Sequence, residues 1–429
     1  MISSTPSGSN RTVNASDIQN LDAAPAGRKK IAWAQQQMPV LRQIQEQVSQ
    51  DLPLKGLRVG ASLHITSETA RLAQVLKAAG AEVALCACNP LSTQDEVAAA
   101  LVSENIQVFA RRGEDNATYY KHIDAVLDTT PHLLIDNGGD LITEMHKQRK
   151  DLLPGVIGAT EETTTGIARL NSMARSGLLK FPVISVNDAK SKYLFDNRYG
   201  TGQSTLDAIM RSTNALIAGK KIVVAGYGWC GKGIAARARG LGAIVTVVEI
   251  NPMQALEAAM DGFVVTPMER AATFGDIFIT ATGDINVIRQ EHFEVMKSGT
   301  VLCNAGHFNS EIEVPALEAL AQHKEEMRPY LWRYEMAGKH LFLLAEGRLV
   351  NLTCGEGHPA AVMDMSFANQ LLTILHLARF HRSLGQRVYP VPQDIDERVA
   401  LLKLQAMGIE LGKRTQEQED YQMSWEIGT

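Results

Sequence analysis

Two long stretches of this chain alternate short apolar runs with helix-length amphipathic segments, and that rhythm leaves few folds open. In the first stretch, "GLRVGASL" reads as a strand, "TSETARLAQVLKAAG" as a helix and "AEVALCA" as a strand. "STQDEVAAALVSE", "IQVFA", "NATYYKHIDAVLDTT" and "PHLLID" continue the pattern. The second stretch starts at "KKIVVAG" and passes through "AIVTVVE", "DIFITAT" and "TVLCNAG" to "KHLFLLAEGRLVNL". Neighbouring parallel strands need a crossover, usually a helix. The alternation therefore predicts an α/β chain with two doubly wound, parallel-sheet (Rossmann-like) domains. A helical linker, "KSKYLFDNRYGTGQSTLDAIMRSTNALIAG", joins them, and "PAAVMDMSFANQLLTILHLARFH" is expected to return to the first domain. That gives a lead-in over 1–28, a first domain over 29–200 completed by 357–392, a second over 201–356, and a short helical tail over 393–429.

The net charge is −5 with no basic block, which argues against nucleic acid and anionic membranes as partners. Apolar runs such as "HLFLLA" are too short to span a bilayer. The N-terminal "MISSTPSGSNRTVNASDIQ" lacks the charged start and apolar core of a secretory signal, so a cytoplasmic, disordered lead-in is expected. Its sequons at Asn10 and Asn14 are then chance. Five scattered cysteines fit a reducing compartment. Cys86 and Cys88 form a CxC, but no second Cys/His pair stands near, so no metal site is expected.

Gly226, Gly228 and Gly231 form a GxGxxG that follows a β-branched strand and opens a helix. The first two glycines allow a tight turn and close backbone approach to a pyrophosphate; the third lets helix and strand pack. Trp229, Cys230, Lys232 and Gly233 complete the loop and the helix start. Glu249 ends the next strand, where a carboxylate accepts from ribose hydroxyls and repels a 2′-phosphate, favouring NAD. A 2-hydroxyacid dehydrogenase would carry an Arg fork for its substrate carboxylate. The corresponding loop here, "CNAGHFNSE", offers Asn304 and His307 instead.

Polar clusters that the fold does not need precede the fingerprint. "SLHITSET" places His64, Thr66 and Glu68 past a strand's carboxyl end, where open α/β sheets bind ligands. "LLIDNGGDL" places Asp136, Asn137 and Asp140 likewise, and "GATEETTTG" gives Glu161 and Glu162 before three threonines. "KSKYLFDN" sets Lys192 and Asp196 on one helical face.

Together "SLHITSETA", "CNPLSTQD", "GATEETTTG", "SKYLFDNRYG", "AGYGWCGKG", "NAGHFNSEI" and "LLAEGRLVNLTCGEGHPAAVMDMSFANQ" resemble the S-adenosylhomocysteine hydrolase family, in register from about residue 30. The resemblance implies a tightly held NAD that is reduced and re-oxidised within each turnover. The net reaction is reversible hydrolysis of a nucleoside thioether to adenosine and homocysteine, in the methyl cycle. Oxidation of the ribose 3′-hydroxyl to a ketone acidifies the 4′ hydrogen. A base removes it, homocysteine thiolate leaves and water adds. A lysine near neutral pKa suits this chemistry.

Carried over by the resemblance, His64 and Lys192 are the proton-transfer groups, with Asp196 orienting Lys192. Glu162 and Asp196 bind the ribose hydroxyls; Thr66, Glu68 and His358 hold the adenine; His307 sits on the leaving-group side. Thr163, Thr164, Thr165, Asn197, Glu249, Asn304, Ala305, Gly306, His307 and Asn351 contact NAD beside the glycine loop. A cytoplasmic homotetramer is implied too.

The chain departs from the family in three places. Asn137 stands where a catalytic acid is usual, Glu356 where a Met is common, and the chain stops at "SWEIGT" without a Lys and Tyr that reach a neighbour's NAD. NAD is accordingly expected to exchange more readily. Two alternatives remain: a regulatory relative that binds NAD and nucleoside with weak catalysis, and an S-inosylhomocysteine hydrolase. An ionised Glu68 only accepts hydrogen bonds, which suits the adenine amine over the hypoxanthine carbonyl.

Overall fold

The computed structural model describes residues 16–426, so the sequons at Asn10 and Asn14 lie outside the described residues. Strands β1 (Asp17–Ile18), β2 (Arg58–Ser62), β3 (Glu82–Cys86), β4 (Gln107–Ala110), β5 (Leu133–Asp136), β6 (Gly158–Glu161) and β7 (Val183–Ser185) precede the glycine fingerprint. β8 (Lys221–Ala225) leads directly into it; β9 (Ile244–Val248), β10 (Val264–Val265), β11 (Ile277–Thr280), β12 (Thr300–Asn304), β13 (His323–Arg328), β14 (Leu331–Met336) and β15 (Lys339–Leu344) follow, and β16 (Val388–Pro390) comes last. Two eight-stranded sheets result, in the orders β1-β4-β3-β2-β5-β6-β7-β16 and β10-β9-β8-β11-β12-β15-β14-β13.

All pairings in the first sheet are parallel. β5 and β6 are buried along their whole lengths, the pattern of strands covered by helices on both faces. In the second sheet β13, β14 and β15 form an antiparallel meander at one edge. The alternation did not announce it, because every residue of β13 is exposed and carries no apolar period. "KHLFLLAEGRLVNL" is a strand only over Lys339–Leu344; Ala345 and Glu346 then adopt φ 53° and 54°, which ends the extended run.

The helix Ala360–Phe380 does return to the first sheet. Met365, Phe367, Leu371, Ile374 and Leu377 join Val40, Leu41, Ile44 and Leu72 in one core. Its buried Asp364 accepts from the backbone of Val40 (3.2 Å) and Leu41 (2.9 Å), capping the helix Pro39–Asp51, and Lys403 pairs with it at 3.0 Å.

Two expected boundaries shift. Residues 17–28 are not a loose lead-in: β1 pairs with β4, and the helix Ala24–Gln36, which starts inside this stretch, buries Ile31 and Ala34 against the first core. The low apolar content before residue 29 hid this, since Asp17–Ile18 is too short to show a period. Nor is the helix Gln393–Ala406 a free tail, for Ile395 and Val399 sit in the same core. Among the described residues no helix is long and apolar enough to cross a membrane.

Candidate active site

The carboxyl ends of both sheets face one cavity of about 1160 Å³. His64 follows β2, Asn137 follows β5 and Glu162 follows β6; from the second sheet come Gly226 after β8, Glu249 after β9 and Ala305 to His307 after β12. Placement at strand carboxyl ends is where doubly wound sheets bind ligands.

The second sheet contributes mainly backbone. Gly226 holds φ at +95°, and a Cβ there would lie 2.7 Å from the Ala281 carbonyl oxygen. A Cβ on Gly231 would run into the Gly226 carbonyl, while one on Gly228 would meet nothing and would point into open space. This is a cradle for a pyrophosphate at the N-terminus of the helix Trp229–Gly240. The Glu249 carboxylate is fixed by backbone N–H groups of Tyr227 (2.7 Å), Ile250 and Asn251 (both 2.8 Å). Asn351 donates to Ser204 at 3.0 Å, yet its buried Oδ1 has no partner among the described residues and faces the cavity wall as an acceptor. Thr163, Thr164 and Thr165 line the same wall at the start of the helix Thr164–Arg175. Trp229 and Cys230 also reach the cavity, with Trp229 packed 5.2 Å from the Tyr193 ring. These features fit NAD.

Four of the expected cofactor residues stand behind this wall. Gly231 and Gly233 are packing glycines; a Cβ on Gly233 would strike the Arg198 carbonyl, so it lets the fingerprint helix rest on the Asp196 turn. Lys232 is drawn away to Glu257 at 2.7 Å. Asn304 is fully buried, donating to the carbonyls of Gly306, Phe308 and Gly347 and accepting from Thr280 and Gly306. Its hydrogen bonds shape the loop that carries Ala305 and His307.

The first sheet contributes charge. Lys192 is buried, donates to Asn197 Oδ1 at 2.8 Å and Asn187 Oδ1 at 3.4 Å, and lies 3.4 Å from Asp196 and 3.8 Å from Glu162. Asp196 starts a π-helical turn, Asp196–Gly200, and also meets His358 at 3.0 Å and accepts from Ser366 at 2.7 Å. Gln370 donates to Glu162. The short helix bearing Lys192 is capped by Asp396, which accepts from the backbone of Lys190 (2.7 Å) and Ser191 (2.8 Å).

These contacts correct the expectation of a near-neutral lysine. Burial lowers the Lys192 pKa, but Asp196 and Glu162 more than offset it, so the ammonium is held above its ordinary range. Burial likewise opposes ionisation of Asp196; Lys192 and His358 outweigh it and hold the carboxyl well below the usual range. Glu162 is the group poised near neutrality. Burial pushes it to about 7, with Lys192 pulling down and Asp196 pushing up.

His64 and His307 face each other with ring centres 6.1 Å apart. Burial drives the His307 pKa to about 4, and His64 well below its usual value, with His307 and His358 adding to the latter. Asn137 lines the cavity, and its buried Oδ1 lacks a partner among the described residues. Beneath it, Asp136 and Glu161 stand side by side on β5 and β6. Burial raises both, Asp136 to about 7. Asp136 accepts from the backbone of Asn137 and Ile142, and Glu161 from Gly138 and Thr163, so the pair shapes the loops rather than the cavity.

Thr66 and Glu68 line the cavity at the start of the helix Ser67–Ala78, and burial raises the Glu68 pKa. Glu356 does not line the cavity; it is more than half exposed and pairs with Lys30 at 3.3 Å and Arg211 at 3.9 Å.

Asn187, Ser366, Asn369, Gln370 and Asp396 escaped the sequence reading. One signal for three of them was present. Ser366, Asn369, Gln370 and Thr373 make a polar stripe at helical spacing inside an otherwise apolar helix, and all are buried.

A cofactor cradle facing a buried acid–base cluster defines a two-domain α/β enzyme that holds a dinucleotide over its substrate. The chain belongs to the S-adenosylhomocysteine hydrolase family. The family model "S-adenosyl-L-homocysteine hydrolase" matches residues 15–154, and "S-adenosyl-L-homocysteine hydrolase, NAD binding domain" matches 197–357. It is 58% identical over 415 residues to an adenosylhomocysteinase of Aquifex aeolicus, covering 96% of this chain and 99% of the relative. An adenosylhomocysteinase of Thermococcus kodakarensis is 55% identical, and an S-inosyl-L-homocysteine hydrolase of Methanopyrus kandleri 56%; each alignment covers 96% of this chain and 98% of the relative.

Proposed function

We propose that this protein hydrolyses S-adenosyl-L-homocysteine reversibly to adenosine and L-homocysteine, with bound NAD. The observation that carries the reading is the buried Lys192–Asp196–Glu162 cluster lining the same cavity as the glycine cradle. Hydride chemistry at the ribose 3′ carbon is what NAD supplies there. Glu162 and Asp196 accept hydrogen bonds from the ribose hydroxyls. Lys192, held by Asn197 and Asn187, relays the proton of the 3′ oxygen, passing one of its own to Glu162, the neighbour poised near neutrality. His64 moves protons at the 4′–5′ side, and His307 closes the leaving-group side against water. Thr66, Glu68 and His358 hold the base, and Asn137 offers its free Oδ1 to the substrate. Thr163, Thr164, Thr165, Asn197, Glu249 and Asn351 hold NAD.

Residues 29–200 with 357–392 form the body of the substrate domain in this reading, with 17–28 and 393–406 packed onto it, and 201–356 the NAD domain. A cytoplasmic homotetramer acting in the methyl cycle completes it. The exposed Met253, Leu256 and Met260 along one helix support burial of that face in an assembly.

The inosine reading draws on one observation: the buried Glu68 has a raised pKa, and a protonated acid could donate to a hypoxanthine carbonyl. Adenosine is favoured because Ser67 donates to Glu68 at 2.9 Å, a bond that supports the carboxylate. The test is kcat/KM for S-adenosylhomocysteine against S-inosylhomocysteine, in the natural protein and in Glu68→Lys. A natural ratio above one that inverts in the variant is expected. A natural ratio below one would give the inosine reading precedence.

A further inference from the structure

The motif "CNPLSTQD" has no place in the chemistry described so far, yet its loop lies against His64. Ser92 Oγ is 2.8 Å from His64 Nδ1, and its hydroxyl donates to the Asn89 carbonyl at 3.0 Å. Cys88 Sγ is 3.2 Å from the same nitrogen. The loop is stitched to the His64 loop by backbone bonds from Cys88 to Leu63 (3.2 Å) and from Gln94 to Ile65 (2.9 Å), and Asn89 Oδ1 accepts from Leu91 at 2.9 Å. Ser92, Asn89 and Cys88 are all buried.

We propose that Ser92 is a positioning residue that holds His64 in its Nδ1–H form, leaving the Nε2 lone pair as the proton acceptor in the cavity. The inference rests on the hydrolase reading above. The direction follows from counting hydrogens. The Ser92 hydroxyl hydrogen goes to the Asn89 carbonyl, so its oxygen offers a lone pair to His64. Were Nδ1 bare, its in-plane lone pair would meet the Ser92 oxygen lone pair at 2.8 Å, with only the weak Cys88 thiol left to donate to it. As N–H it can be shared by two acceptors. Burial keeps the Cys88 thiol protonated, which excludes a thiolate holding a His64 imidazolium. Among the described residues nothing bonds His64 Nε2, and His64 lines the cavity.

During turnover Nε2 takes one proton and later gives one up, so the ring passes through imidazolium and returns neutral. The Nδ1–H···Ser92 bond persists throughout and keeps the ring plane fixed. The groups that face this ring are His307, His358, Asp196 and Cys88; the two histidines disfavour its charge, and Asp196 favours it. With Asn137 in place of an acid, the cavity loop after β5 adds no carboxylate at that position.

The test uses NAD-loaded full-length protein with ¹⁵N-ring-labelled histidine, His64 being assigned by the signal missing in His64→Asn. The expected spectrum at neutral pH has a protonated Nδ1 and a bare Nε2. The opposite tautomer, or an imidazolium, overturns the proposal without needing any variant. In kinetics, Ser92→Ala is expected to lower kcat about tenfold, the scale of one hydrogen bond to a group that becomes charged. KM and NAD content should stay unchanged, and the acid limb of the kcat profile should move. Unchanged kcat, or a loss explained by lower NAD content, counts against it. If the natural protein releases no thiol, the hydrolase reading fails separately, and the spectrum still decides the tautomer.

Discussion

The two sheets share a plan and contribute opposite chemistry to one cavity. The second presents glycines and backbone, with Glu249 held by three N–H groups. The first presents ionisable side chains, buried and mutually dependent, around Lys192. A cradle of backbone fails when an atom is added, whereas a buried charge cluster fails when one is removed.

The largest expected effect removes charge. Lys192→Met should lower turnover by roughly 10²–10⁴ while NAD stays bound, since a positioned proton-transfer group contributes about that much. Steady-state kinetics with NAD quantified in the same sample checks it. Near-normal turnover would reduce Lys192 to a structural partner of Asp196.

Adding an atom tests the other sheet. Gly231→Ala puts a methyl against the Gly226 carbonyl and should destabilise the fold by about 1–3 kcal/mol, with loss of NAD on gel filtration. Urea denaturation measures the first quantity. A stable variant that keeps its NAD would show that the cradle tolerates more than the geometry allows.

A smaller effect sharpens the contrast through pH. Glu162 titrates near 7 in the fold, above its ordinary 4.5, so the unfolded chain ionises it more easily. Taken alone, this group weakens the fold as pH rises from 4.5 through 7, and Glu162→Gln should remove that slope from the dependence of Tm on pH. The sign for activity is opposite. The carboxylate is lost as pH falls through about 7, so kcat/KM should fall on that side in the natural protein and be flat there in Glu162→Gln. An unaltered limb in the variant would assign it elsewhere.

The smallest effect concerns Asn137. Its amide still reaches the cavity, so Asn137→Asp should change kcat only severalfold, the scale of exchanging one hydrogen bond of about 1 kcal/mol. A dead natural protein revived by this substitution would favour the regulatory alternative.

The same contrast explains what the sequence disclosed. The cradle is local: Gly226, Gly228, Gly231 and Glu249 lie within one strand–helix–strand unit, and their spacing is itself the signal. The Lys192 cluster is assembled from distant chain. Ser366 meets Asp196 across 170 residues and Gln370 meets Glu162 across 208. Lys192 and Asp196 were visible as a helical pair, but neither Asn187 nor Asp396 differs in type from an ordinary loop or helix residue. The sign of the Lys192 shift was also out of reach, because it depends on how many carboxylates converge. The meander β13–β15 was missed because an exposed edge strand has no burial pattern to display.

The central claim is that the cradle and the charge cluster act on one substrate. The most direct test mixes NAD-loaded protein with S-adenosylhomocysteine and a thiol reagent in a single turnover and follows NADH absorbance. A transient that rises and decays is expected, with one homocysteine released per active site and no added cofactor. Substrate binding with neither NADH signal nor thiol release would contradict it.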